Sequence, residues 1–190
     1  GATGPQGPAG PVGATGPQGP AGGYTHYIGE QFAGGVIFHL FKDNAGFEHG
    51  LIVALTDQST GQVWSNVTST TIGFSAQSLW DGLSNSNAIV GQPGHTNSAA
   101  KLCLDLVSGG QSDWYLPSIQ ELNMLWNNYY TVARSLSTIS GATQLYINSA
   151  YWSSSERYGG NSVYYFVFNK VFTPFGNKGD MNYVRAVRAF

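Results

Sequence analysis

The sequence predicts an α+β head, homotrimeric and preceded by a collagen triple-helix segment, and three observations carry that prediction. β-Branched and aromatic runs stand at both ends of the globular part, a capped amphipathic helix stands between them, and glycine recurs at every third position from Gly1 to Gly22. The glycine repeat comes first along the chain. Proline fills five of the seven positions that follow a glycine, and residues 1–10 return letter for letter as 13–22. Three polyproline II chains wind together only when every third residue lacks a side chain, because that residue faces the shared axis. A single copy has no internal hydrogen bonds, so the repeat predicts a trimer. A flexible Pro/Gly linker is the alternative, and the unbroken period of three argues against it. All five prolines precede the third position of their triplets, which leaves no site for the hydroxyproline that stabilises animal collagen, so the pattern is of a bacterial or phage type. No charged residue falls in the segment, and ion pairs cannot set its register. At about 3.1 Å per residue the rod would be roughly 65 Å long, marginal alone and in need of a downstream clamp.

The organisation that follows is a Gly-X-Y stalk over 1–22, a neck over 23–30 and a globular ligand-binding and trimerisation domain over 31–190. In the neck, Tyr24, Tyr27 and Ile28 can pack against copies of themselves. The runs "GGVIFHLF" (34–41) and "HGLIVALTD" (49–57), separated by the turn "KDNAG", read as a hairpin, and "STGQVWS" as a further turn and short strand. Residues 68–100 are rich in Ser, Asn, Thr and Gly. One helix is expected around "AQSLWDGLSNSNAIV" and a second over 97–107, with the loop "GQPGHTN" between them. In "DWYLPSIQELNMLWNNY", Ser118 and Glu121 form a capping box, and Ile119, Leu122, Leu125, Trp126 and Tyr129 follow at helical spacing, so a helix is expected over about 119–130. "AYWSSSE" (150–156), "SVYYFVFNKVFTPF" (162–175) and the terminal "NYVRAVRAF" read as strands.

Charged residues make up only 9% of the chain and aromatics 14%, the composition of a polar, weakly charged recognition surface. No run of 18 apolar residues exists. The sequence begins within a triplet and without Met, so an export signal is expected upstream. Cys103 alternates with Leu102 and Leu104 and reads as a small buried hydrophobe. The net charge of −2 conceals a division: residues 24–150 hold three basic and eight acidic side chains, whereas 151–190 hold five basic and two acidic. If the last forty residues share a face, that face attracts anions. The candidate ligand-binding residues are Lys170, Lys178 and Arg157 first, Arg185 and Arg188 second, Lys101 and Arg134 third. Against this stands a structural role in which arginines of a final strand pair with upstream carboxylates.

Motifs for catalysis are sparse. "SAAK" (98–101) fits S-x-x-K, but its partner motifs are absent. The four histidines, His26, His39, His49 and His95, lack metal-ligand spacing, and His49 is expected to orient a turn. A non-enzymatic chain with no cofactor and no metal is the expectation.

The strings "GFEHGLIVALTDQSTGQVWS", "DWYLPSIQELNML", "YWSSSE" and "YVRAVR" together resemble the C-terminal domain family of the Legionella collagen-like adhesin, over nearly all of residues 31–190, and the "GPQGPAG" triplets resemble the stalk of such adhesins. The resemblance implies a C-type-lectin-like fold and a secreted or cell-surface homotrimer that binds sulfated glycosaminoglycans such as heparin and promotes host-cell attachment and biofilm formation. It assigns no binding residues. A calcium-dependent sugar site of the lectin kind finds only partial echoes, in "QPG" (92–94) and "WNN" (126–128), too few oxygen ligands for calcium. The expected partners are thus a sulfated polysaccharide and two further copies of the chain, with no nucleic acid and no membrane span. Two other readings stand beside this one. The head could be a structural trimerisation module of a phage or spore-surface fibre, or exposed aromatics of "YWSSSERYGG" could bind neutral sugar.

Overall fold

The computed structural model describes residues 23–170 and 174–190, with Gly1 and Thr3; the triple-helix expectation for the rest of 1–22 lies outside the described residues. In chain order the elements are β1 (Gln31–Phe32), β2 (Gly35–Lys42), β3 (Glu48–Ala54), β4 (Ser59–Val63), α1 (Gly82–Val90), α2 (Ala99–Leu104), α3 (Ile119–Asn127), α4 (Tyr129–Thr138), β5 (Ala150–Glu156), β6 (Ser162–Val167), β7 (Phe175–Asn177), β8 (Met181–Val184) and β9 (Val187–Ala189). The fold is α+β. One antiparallel sheet has the order β1-β2-β3-β9 and the second β4-β8-β5-β6-β7, where only β5 and β8 run parallel.

The predicted hairpin forms as β2 and β3, with an irregularity in the register between Ile37 and His39. Its runs are almost continuously apolar because both faces are covered. Val36, Phe38, Leu51 and Val53 enter one cluster with α3 and α4 residues, while Ile37, Ile52 and Ala54 enter a second with Trp64, Trp114 and Trp152. Successive strand side chains point to opposite faces, so a sheet buried on both sides shows no polar alternation. Cys103 lies fully buried in the second cluster, where burial pushes its thiol pKa upward.

The helices begin where side-chain caps start them. Asp81 accepts from the Ser84 amide, Ser98 from Lys101, and Ser118 from Glu121, the last in the reciprocal box expected. The "SAAK" string is therefore a helix start: the Ser98 hydroxyl is fully buried, satisfies the Lys101 amide and lies 2.8 Å from His95 Nε2.

Three expectations are corrected. The helix expected over 119–130 stops at Asn127, and a second helix, α4, begins at Tyr129 after Asn128, whose side-chain amide donates to the Phe38 carbonyl and fastens the break to β2. The Ser/Thr-rich stretch behind it is helical because Val132 and Leu136, one turn apart, are buried in the first cluster, and that packing overrides weak propensity. The expected strand 162–175 divides into β6 and β7. The terminal strand also divides: β8 and β9 belong to different sheets, with Arg185 and Ala186 at the corner between them.

The neck lies against the head. The amides of Thr25 and His26 donate to the Glu48 carboxylate, and Lys42 donates to the Gly23 carbonyl, 5.5 Å from the Tyr24 ring centroid. His49 braces the β2–β3 turn as expected, 3.3 Å from Asp43, whose other oxygen accepts the Ala45 and Phe47 amides.

At the end of the fold, Arg188 on β9 holds Asp113 through two hydrogen bonds of 2.7 and 2.8 Å. The hydrogen bond from Arg188 holds the Asp113 carboxyl below the usual range. A depressed folded pKa contributes stability that is complete above the unfolded value of about 3.9 and is lost as pH falls through the folded one. Asp113→Asn should therefore be less stable at neutral pH, and its urea midpoint should move less than that of the parent between about pH 5 and about pH 3.

Candidate functional site

The structure separates the seven predicted cations into two classes. Lys178, Arg185 and Arg188, predicted as ligand contacts, are buried and each is engaged in an ion pair within the fold. Lys178 Nζ lies 2.5 Å from Glu156 Oε1 and 2.6 Å from the Thr70 carbonyl, 5.0 Å from the Trp64 ring centroid, with both members of the ion pair wholly inaccessible. Arg185 donates Nε to Asp57 at 2.8 Å, Nη1 to Ala54 and Nη2 to the carbonyls of Thr143 and Gln144. It thereby ties the end of β3 and the segment before β5 to the corner between the sheets. Arg185 and Arg188 realise the pairing with upstream carboxylates. The +3 balance of residues 151–190 is thus spent mostly inside the protein, leaving Arg157 and Lys170 against Asp180.

Lys101, Arg134, Arg157 and Lys170 are exposed. Lys101 lies 2.7 Å from Asp105 one helical turn on, an exposed pair open to salt screening. Arg134 stands on α4, which packs against the other sheet, so it does not join the remaining cations on one element. Arg157 follows β5 and donates its amide to Ser162 at the start of β6, the part of β6 that pairs with the outer strand β7, whereas Lys170 follows the end of β6. Because β5 and β6 run antiparallel, the two stand toward opposite ends of β6. The structure therefore places Arg157 beside β7 and Lys170 past the other end of β6, with Lys101 on α2 and Arg134 on α4.

At this edge Arg157 has aromatic company. Its guanidinium carbon sits 4.0 Å from the Phe175 ring centroid, a cation–π contact that holds the planar fork while leaving its donors toward solvent. Tyr158 and Phe74, 77% and 86% exposed, lie with ring centroids 6.3 Å apart. Of the aromatics in "YWSSSERYGG", Tyr151 and Trp152 belong to the core and Tyr158 reaches solvent.

The loop that presents Phe74 is fixed by the buried ion pair. Glu156 accepts the amides of Ile72 at 3.0 Å and Gly73 at 2.7 Å, while Lys178 holds the Thr70 carbonyl. Gly73 has φ +83° and ψ −153°, a conformation reserved for glycine, and it turns the chain so that Phe74 faces out. The Asn161 side chain donates to the Ser69 carbonyl and Thr71 donates to Asn161, joining this loop to the β5–β6 turn that carries Tyr158. Phe74 and Phe175 were not among the sequence candidates. Their only signal was a large apolar residue isolated among turn formers, in "IGFSA" and "TPFGN".

Among the described residues no group of three or more His, Cys, Asp or Glu side chains could hold a metal ion, and Gln92 of "QPG" accepts from buried Ser65. Also among the described residues, no helix is long and apolar enough to cross a membrane. With this geometry in view, residues 53–188 match the family described as the Lcl C-terminal domain. A comparison with curated proteins finds no match.

Removing one member of a buried pair strands the other charge. Lys178→Met should cost about 3–5 kcal/mol in urea unfolding, and Lys178→Met/Glu156→Gln should recover much of that loss.

Proposed function

The chain belongs to the Lcl C-terminal domain family, and from that premise we propose that it is the head of a surface adhesin that binds sulfated glycosaminoglycan without catalysis. An adhesin-type function and a surface or secreted location go with the family. The observation that carries the finer reading is the exposed Arg157 held over Phe175 at the β6–β7 edge, with the Phe74 and Tyr158 rings nearby and Lys170 exposed past the far end of β6. An arginine fork takes two oxygens of one sulfate, and lysine adds a mobile point charge. Flat exposed rings give a sugar ring an apolar surface beside its anionic groups.

One head offers few such cations, so affinity on this reading comes from repetition. The Gly-X-Y segment would gather three lectin-like heads behind one stalk, and a polysaccharide spanning three weak sites gains avidity. Host-cell attachment and biofilm formation follow from display of that array.

A second reading has an observation of its own. Three of the seven candidate cations are consumed within the fold, as expected of a structural trimerisation head with no polyanion ligand.

Heparin binding by the full chain at low and at physiological salt separates them. The adhesin reading expects binding that falls steeply with salt and drops about tenfold or more in Arg157→Ala/Lys170→Ala. Binding unchanged by that substitution would move the site toward Lys101 and Arg134, and no binding at either salt would leave the structural reading.

A further inference from the structure

We infer that the cleft between the β2–β3 hairpin and the start of α3 binds a small organic ammonium ion carrying an aromatic body, a site separate from the cationic edge described above. The cavity measures about 310 Å³, within the range of small-ligand sites, roughly 300–1,000 Å³. Phe41 and Trp80 line it and are 45% and 64% exposed; Phe41 is stacked on His49 with ring centroids 5.3 Å apart, so the Trp80 indole is the ring that offers a face to a cation. Trp80 is not a loose ornament of a loop. Its amide and that of Asp81 donate to the Ser78 hydroxyl, and the Ser78 carbonyl is held by Asn85 and Ser155, so the indole is presented from a braced turn.

The polar side of the cleft fixes the sign of the ligand. Glu121 lines it at 6% exposure, with one carboxylate oxygen accepting the Tyr115 hydroxyl at 2.7 Å and the other the Ser118 amide at 2.6 Å. Each oxygen retains a lone pair, and among the described residues no Lys or Arg lines the cavity to supply a countercharge. Burial raises the Glu121 pKa against the lowering hydrogen bonds from Ser118 and Tyr115, with neighbouring Asp81 raising it further. The two histidines in the lining do not provide it. Burial lowers the His39 pKa, which keeps that ring neutral near pH 7, and His49 already faces Asp43. A carboxylate ligand would meet Glu121 and Asp81 as like charges, and a plain hydrocarbon would desolvate Glu121 without compensation. An arylalkylammonium answers both demands, placing its ring against Trp80 and Phe41 and its charge at Glu121.

The test is calorimetric titration of the full chain at neutral pH with phenethylamine, beside 2-phenylethanol and 3-phenylpropionate as neutral and anionic counterparts. Saturable binding of the amine is expected, at least about tenfold tighter than that of the alcohol, with none for the carboxylate. Trp80→Ala, an exposed change that leaves the core intact, should abolish it. Glu121→Gln keeps one acceptor oxygen for the Ser118 amide, while the Tyr115 hydroxyl can rotate to accept from the new amide N–H, and it should weaken the amine about tenfold while leaving the alcohol unchanged. Should Glu121→Gln fail to fold, the three-ligand comparison and Trp80→Ala decide the matter. Absence of saturable amine binding, equal binding of amine and carboxylate, or amine binding indifferent to Trp80→Ala would each overturn the assignment.

Discussion

The buried Glu156–Lys178 ion pair is the constraint on which the outer end of the five-stranded sheet depends. A carboxylate and an ammonium removed wholly from water are costly unless every remaining lone pair and proton is occupied. Here that condition is met by backbone: two amides on Glu156, the Thr70 carbonyl on Lys178, and the Trp64 ring beside the ammonium. The Lys178 carbonyl in turn accepts the Trp64 amide. One ion pair thus anchors the loop after β4, the end of β5 and the turn between β7 and β8. Without it, nothing of comparable strength would hold the segment over 70–73 that aims Phe74 outward.

The same economy runs through the rest of the molecule. Ser153, Ser154 and Ser155 are fully buried in a strand, positions where hydroxyls need partners. Ser155 accepts the Ile119 amide at the start of α3 and donates to Ser78, and Asn85 of α1 reaches the Ser154 hydroxyl and the Ser78 carbonyl. The strings that carry the family resemblance are therefore mostly scaffold. "YWSSSE" supplies this network and Glu156, "LPSIQEL" the capping box, and "YVRAVR" the two arginines that close the sheets. Resemblance in such strings identifies the fold more directly than it identifies a ligand surface.

Charge is distributed accordingly. Arginine and lysine spent in the interior reduce the cationic surface to a few side chains, of which Arg157 at the β6–β7 edge stands with exposed rings. The cleft beside α3 carries the opposite sign, with Glu121 in its lining and no Lys or Arg among the described residues that line it. The two proposed sites therefore carry opposite charge and are built from different elements.

The sequence by itself determined the α+β class, the hairpin and the capping box of α3, because these follow from local terms: apolar period, turn residues and side chains that reach amides three positions away. It also determined the Gly-X-Y repeat, whose period is a property of the chain alone. Local terms failed where packing set the outcome. The Ser/Thr-rich α4 is helical through two residues buried one turn apart, and the terminal strand breaks at Arg185 because its halves join different sheets. The fate of the cations was wholly tertiary. Lys178 and Lys170 are equivalent as letters in a basic C-terminal stretch, and only the path of residues 64–73 across β7 and β8 encloses one of them beside Glu156. Coulomb energy depends on distance in space and on the water excluded from the pair, and chain order records neither.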